Sequence, residues 1–230
     1  MGPGGEARRR TGGLSVALGL LVAGFDASPV DPDEFNDWYD TEHMPERQRI
    51  AGFGRCERWI GADDPRIALA TYDLDSLAVL QGDAYRSVGG ENLSPWSKRV
   101  LGKAKRICRF EAEQLPPGNT RAPDGAAGLL LYAMNVAPEA EQEFNAWYDE
   151  EHIPRLSAVP GCLCARRFRI TAAVSDGNQR YLALYHLASP EVCSSRAWRE
   201  AAVTPWTGRM RPYFRDPMRL ELRRYERAST

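Results

Sequence analysis

Two apolar runs, 14–25 and 128–135, open the two halves of the chain. Both are apolar on nearly every position, which predicts strands buried on both faces. A helix follows each run. Asp31-Pro32-Asp33-Glu34 carries its start signal in the first half: a capping Asp, Pro at the first helical position and acids in the first turn. Pro138-Glu139 does similar work in the second. Pro45 and Pro154 remove a helical donor and crowd the preceding turn, so the helix is expected to kink or break there, leaving His43 and His152 at its disturbed end. Two strands come next, at 53–60 and 67–74 with Gly61–Pro65 as the turn, and at 162–171 and 180–187. A second helix is predicted at 77–88 and 190–202. A Ser/Thr-Pro-Trp loop and a last strand, 105–114 and 218–226, complete each half.

The order βαββαβ thus occurs twice, and the residues repeat with it. Phe35-Asn36-Asp37-Trp38-Tyr39-Asp40-Thr41-Glu42-His43-Met44-Pro45 returns 109 positions later as Phe144-Asn145-Ala146-Trp147-Tyr148-Asp149-Glu150-Glu151-His152-Ile153-Pro154, identical at eight of eleven positions. Chance does not supply that match in residues as rare as Trp and His, so the chain is a tandem duplication. The offset becomes 113 at Ala70–Ser76 against Ala183–Ser189, and 110 at Ser94–Arg99 against Thr204–Arg209. These slips fall at turns. The first lobe spans 14–115, the turn-rich linker 116–127, and the second lobe 128–227. Each should form a four-stranded antiparallel sheet with its helices on one face. Packing the two bare sheet faces together would bury them as an internal pseudo-dimer.

A net charge of −1 gives no field that favours nucleic acid or an anionic membrane. The Arg-rich ends read as solvated faces. Five cysteines without regular spacing argue for a reducing compartment, and Cys162-x-Cys164 reads as alternating strand residues. Arg8-Arg9-Arg10 before an apolar run looks like a secretory signal, but the repeat aligns that run with mid-chain residues. It is taken as the first strand of a cytoplasmic protein.

The repeated helix holds the candidate chemistry. Phe35, Trp38 and Glu42 share one stripe, with Asn36, Tyr39 and His43 on the next, and the second copy repeats both. A carboxylate on an aromatic stripe needs a partner or a proton, and an imidazole beside it titrates near neutral pH. Glu42 could pair with Arg58, and Glu151 with Arg167. Phe35 and Phe144 read as core, Trp38 and Trp147 as core or pocket wall, Asp40 and Asp149 as exposed or capping. The catalytic candidates are His43, His152, Glu42 and Glu151. The substrate-binding candidates are Tyr39, Tyr148, Trp38, Trp147, Asn36 and Asn145, joined by His186 and its first-lobe counterpart Asp73. Strand alternation puts these last two opposite Tyr185 and Tyr72. No metal-ligand set, phosphate loop, nucleophile elbow or dinucleotide fingerprint stands out, so acid–base chemistry without metal or organic cofactor is the simplest enzymatic option.

Glu34-Phe35-x-x-Trp38-Tyr39-x-x-Glu42-His43-x-Pro45, with Gly52 and an Arg-bearing strand beyond, resembles the EthD-like branch of the dimeric α/β-barrel (ferredoxin-like) superfamily. The second lobe is similar, with His152-Ile153-Pro154 leading to Val159-Pro160-Gly161. The resemblance implies an α+β fold: two tandem ferredoxin-like lobes packed sheet to sheet as a pseudo-dimeric α/β barrel. It also implies acid–base work for His43 and His152. The expected protein is a cofactor-independent lyase or isomerase acting on a hydrophobic aromatic or polyketide-like carbonyl compound. Glu42 or Glu151 would assist the imidazole, and Tyr39 or Tyr148 would hydrogen-bond the carbonyl oxygen. Alternatives are a cofactor-free or haem-assisted oxygenase of aromatic compounds, with one of the three histidines as haem ligand, and a non-catalytic small-ligand binder. A monomer or a homodimer would serve, with a small hydrophobic substrate as partner and neither nucleic acid nor membrane.

Overall fold

The structure, a computed structural model, describes residues 16–116 and 118–227. The Arg8–Arg10 cluster, and with it the signal-like start of the chain, lies outside the described residues. The first half runs β1 (Gly19–Asp26), α1 (Pro32–Trp38), a π-helical turn (Tyr39–His43), α2 (Met44–Gln48), β2 (Phe53–Gly61), β3 (Ile67–Leu74), α3 (Asp83–Arg86), α4 (Pro95–Lys103) and β4 (Lys105–Gln114). The second runs β5 (Gly128–Val136), α5 (Glu141–Trp147), a π-helical turn (Tyr148–His152), α6 (Ile153–Ser157), β6 (Cys162–Val174), β7 (Tyr181–Leu187), α7 (Arg196–Ala202), α8 (Pro205–Met210) and β8 (Phe214–Arg224).

All eight strands close into one antiparallel barrel in the order β1-β3-β2-β8-β5-β7-β6-β4, with β4 returning to β1. The two bare faces do not simply stack as separate sheets, as the sequence suggested. Their edges pair as well: β2 meets β8 from Trp59↔Arg224 to Gly61↔Leu222, and β4 meets β6 from Arg109↔Val174 to Gln114↔Phe168. Closure satisfies the backbone groups that an open edge would leave bare.

Strand alternation then decides which residue faces which core. Leu20, Val22, Phe110, Leu131, Phe168 and Leu184 fill the barrel. On the outer face of the first half, Leu21, Ala70 and Tyr72 pack under Phe35 and Trp38. Leu130, Met134 and Tyr185 do the same under Phe144 and Trp147 in the second. Gly52 and Gly161 turn the chain from helix into strand at φ of 91° and 89°, the left-handed region that suits glycine. A Cβ at either position would also strike Val79 or Val192.

The second helical stretch departs from expectation in both halves. The 77–88 segment divides into a 3-10 turn, Leu77–Gln81, and the short α3. The 190–202 segment likewise begins as a 3-10 turn before α7. The Ser/Thr-Pro-Trp stretch is not a loop but a helix start. Ser94 Oγ accepts from the Ser97 N–H at 2.9 Å and Thr204 Oγ1 from the Thr207 N–H at 3.0 Å, with proline next in each case. That is an N-cap followed by proline at the first helical position. The last strand also begins earlier than expected, at Phe214. Among the described residues no helix is long and apolar enough to cross a membrane.

Candidate active site

Each of the two repeated histidines owes its place to the π-helical turn before it. Met44 N–H bonds back to Tyr39 O, and Ile153 N–H to Tyr148 O, five residues earlier in both cases. On a regular α-helix a residue five positions on lies about 140° round the axis. The widened turn brings it back over the start. His43 sits 4.3 Å from Trp38, and His152 sits 4.2 Å from Trp147, measured between ring centres. Pro45 and Pro154 supply the local reason. Neither has an N–H, and each ring crowds the carbonyl four residues back, at Thr41 and Glu150, which a wider turn relieves. The helix is disturbed where the sequence predicted, but it widens and continues instead of breaking.

The remaining motif residues hold helix to sheet. Arg58, on β2, donates to Asp40 Oδ1 at 2.5 Å and Asn36 Oδ1 at 2.6 Å. Arg167, on β6, repeats this with Asp149 at 2.6 Å and Asn145 at 2.8 Å. The guanidinium groups lie 4.5 Å and 4.2 Å from the ring centres of Tyr39 and Tyr148. The expected Glu42–Arg58 and Glu151–Arg167 pairs therefore do not form; the aspartates take the arginines. Glu42 accepts from Ser94 Oγ at 2.5 Å and Ser97 Oγ at 3.0 Å, and Glu151 accepts from Thr204 Oγ1 at 2.5 Å. Both glutamates tie the motif helix to the start of the next one, and neither bonds its neighbouring imidazole.

The two copies differ in the space they leave. The second encloses a cavity of about 590 Å³ between the outer sheet face and the helices, walled by Leu130, Met134, Leu156, Trp198 and Phe214. Trp147, Tyr148, His152 and Tyr185 line it. The matching hollow in the first half is only about 100 Å³, beside His43 and Tyr72. Arg47 is one cause. It stands where the second half has Leu156, and its buried guanidinium reaches His43 O at 3.3 Å, Glu46 at 2.6 Å and Val88 O at 2.8 Å. Trp38 Nε1 is also satisfied, donating to Ser97 Oγ at 2.9 Å. At the same place in the second half Thr207 bonds Thr204, and the buried Trp147 Nε1 has no partner among the described residues. Neither does the Tyr185 hydroxyl.

Burial sets the protonation states. It holds His43 well below the ordinary imidazole value, with Arg47 and Arg58 adding to the effect. Burial, then Arg167, pulls His152 down to about 3. Burial likewise pushes the phenols of Tyr148 and Tyr185 up, so both keep their protons. The large cavity thus presents a neutral imidazole beside protonated phenols.

His186 and Asp73 lie elsewhere, inside the barrel. Arg166 bridges them, bonding Asp73 at 2.9 and 3.1 Å and His186 Nε2 at 3.0 Å. They do face away from Tyr185 and Tyr72, but they do not join the cavity. Asn145 and Glu151 are not part of its wall either, and Asn36 borders a different hollow of about 370 Å³ with Arg58 and Tyr225. The repeat alone did not pick out Leu156, Trp198 or Thr207. Comparing each with its counterpart, Arg47, Tyr85 and Ser97, would have shown where the copies diverge.

Among the described residues no group of three or more His, Cys, Asp and Glu side chains could hold a metal ion. His152 is the imidazole that opens on the large cavity, and among the described residues no carboxylate or carbonyl orients its ring as metal-ligating histidines usually require. Of the other two haem-ligand candidates, His43 borders only the small hollow and His186 is bonded to Arg166 inside the barrel. The haem-ligand expectation does not fit this geometry.

Comparison with known proteins agrees with the architecture. Residues 129–203 match a family described as a domain of unknown function, DUF4286. No curated protein matches the chain. Among solved structures, a candidate monooxygenase from Fusobacterium nucleatum subsp. nucleatum shares 9% identity at a TM-score of 0.61, covering 92% of this chain and 94% of its own. An anthrone oxidase-like protein shares 14% at 0.61, covering 91% and 92%. The chlorite dismutase of Candidatus Nitrospira defluvii shares 10% at 0.57, covering 91% of each chain. The closed eight-stranded antiparallel barrel with helices outside is the fold of the dimeric α/β-barrel proteins, here completed within one chain.

Proposed function

We propose that the second-half cavity is the active site of an enzyme that moves a proton on a hydrophobic, ring-bearing carbonyl or phenolic compound. One observation carries this reading: a neutral imidazole, His152, opens with two buried phenols onto an apolar space of about 590 Å³. A space of that size takes a drug-sized molecule. His152 accepts a proton from carbon next to the carbonyl. Tyr148 or Tyr185 donates to the oxygen as charge develops there, and Trp147 Nε1 is a further donor. The imidazolium so formed faces the enolate that made it, and this pairing offsets the burial that otherwise disfavours it. Return of the proton at another position is isomerisation; loss of a neighbouring hydroxyl is dehydration. The EthD-like motif in each half and the tandem ferredoxin-like arrangement frame this reading. One chain closes the barrel alone, so a monomer suffices.

A second reading shares the first step. The likeness to a candidate monooxygenase and an anthrone oxidase-like protein favours dioxygen as the acceptor of electrons from the enolate. One experiment addresses both. The protein is incubated in D₂O with a panel of two- and three-ring aromatic ketones and phenols, deuterium uptake at carbon is followed by NMR, and oxygen is followed with an electrode. Exchange without oxygen uptake supports the isomerase or lyase reading, and exchange with uptake supports the oxidase. Neither signal exceeding that of His152→Ala on any compound would overturn the assignment.

A further inference from the structure

The cavity walls are apolar and its floor is neutral, yet its rim is cationic. Arg199 on α7, Arg211 just after α8 and Arg219 on β8 all line it, and no Asp or Glu does. Their partners leave charge to spare. Arg199 donates to the Ser194 carbonyl, which carries no formal charge, and Arg219 pairs with Glu221, which lies outside the wall. Arg211 makes neither a hydrogen bond nor an ion pair through its side chain among the described residues.

Depth separates the two chemistries. Trp147, Tyr148 and Tyr185 are 1–3% exposed, at the floor, while the three arginines are exposed to solvent at the mouth. The first-half hollow is lined by arginines too, Arg47, Arg106 and Arg109, but Arg47 and Arg109 pair with Glu46 and Glu111. At the 110-residue offset that aligns α4 with α8, Arg211 corresponds to Leu101, which lines the smaller hollow. The copy with the large cavity has a free guanidinium where the closed copy has an alkyl group.

We infer that the ligand of this cavity is an amphipathic anion, a fused-ring body with a carboxylate or another oxyanion at one end. The rings lie on Trp147 and Trp198, and the anionic end meets Arg211, with Arg199 and Arg219 beside it. Guanidinium groups suit this task because they present a planar fork to an oxyanion. The charge also orients the molecule, anion outward and reacting carbon inward toward His152. This inference rests on the second-half cavity being the site, but not on the reaction assigned to it.

Binding tests it without turnover. 2-Naphthoate, 2-naphthyl phosphate and the neutral 2-naphthamide are titrated into the protein by calorimetry at low and high salt. The two anions are expected to bind about tenfold more tightly than the amide, as one charge-assisted contact implies. The preference should shrink with salt, since the rim is exposed. Arg211→Leu, which installs the residue of the first half at an exposed position, should remove most of the preference while leaving the amide unchanged. The phosphate and carboxylate arms show which oxyanion fits better. Equal or tighter binding of the amide, an anion preference that survives Arg211→Leu, or no binding of any probe would overturn the inference. Anion-selective binding without deuterium exchange or oxygen uptake would leave it standing while the proposed reaction falls.

Discussion

The imidazole of His152 lies 4.2 Å from the indole of Trp147, although the two are five positions apart on one helix. A regular α-helix would send that imidazole to another face. The π-helical turn brings it back onto the aromatic ring, beside the cavity, and costs the helix some of its regular bonding. The same device in the first half puts His43 4.3 Å from Trp38, where the neighbouring space is nearly closed. Identical local machinery therefore leads to different surroundings, and only His152 opens on a space that the proposed chemistry could use.

His152→Ala is accordingly expected to lower turnover by about 10²–10⁴, the usual worth of a general acid–base residue. His43→Ala should leave turnover within a few-fold and register as a loss of stability, since that ring is buried against Trp38. Steady-state rates of both variants, with thermal melts alongside, check the difference. Equal rate losses would mean that the first half contributes to catalysis.

Stability should fall as the solution is made acidic, starting near the ordinary histidine value. Burial lowers the folded pKa of His43, His152 and His186, so between each folded value and 6.5 the unfolded chain binds more protons than the folded one. The stability is fully present above about pH 6.5 and is lost as pH falls toward the folded values, about 3 for His152. Each histidine contributes at most about 1.4 kcal/mol per pH unit in that window. His186 has a specific reason to resist protonation: Arg166 can only donate, so His186 Nε2 must accept. Urea midpoints at pH 7.5, 6 and 5 should drop steadily, and His152→Ala should flatten the slope. A flat profile from pH 7.5 to 5 would contradict this account.

Much of the frame could be read from the residues. Period-two alternation placed Asp73 and His186 opposite Tyr72 and Tyr185, and the βαββαβ order gave strand positions close to those found. Three features could not be read that way. Whether two exposed sheet faces stack or their edges also join depends on Trp59 meeting Arg224 and Gln114 meeting Phe168, contacts between residues far apart in the chain. The proline after the histidine could either stop a helix or widen it. Asp40 won Arg58 over Glu42 because the widened turn, invisible in the pattern, directs Glu42 toward Ser94 and Ser97. The capped helix at Ser94-Pro95 was missed for another reason: it reads as a loop if proline is taken as a breaker, whereas Ser-Pro is a helix start signal.

The barrel interior predicts an asymmetric mutational response. Asp73 and Arg166 are nearly inaccessible and joined by two bonds. Removing one partner, as in Asp73→Leu, leaves an uncompensated buried charge and should cost about 3–5 kcal/mol. The double variant Asp73→Leu/Arg166→Met removes both charges and should recover most of that loss. Denaturant unfolding of the two singles and the double measures it. A double variant as unstable as the sum of the singles would show that the pair is not acting as a unit.

Arg47 is expected to be the bolt on the first-half site. Its guanidinium fills the space that Leu156 leaves open in the second half, and it bonds His43 O, Val88 O and Glu46. Arg47→Leu should cost about 1–3 kcal/mol, because two carbonyls lose a buried donor. The hollow beside His43 should open in exchange. With Arg47→Leu, 2-naphthamide is expected to occupy two sites per chain by calorimetry instead of one. The anion preference should stay confined to the second half, because Arg211 stands where the first half has Leu101. Adding Leu101→Arg should then let 2-naphthoate enter both sites with similar affinity. A stoichiometry that stays at one in both variants, with the fold intact by circular dichroism, would show that something other than Arg47 closes the first copy.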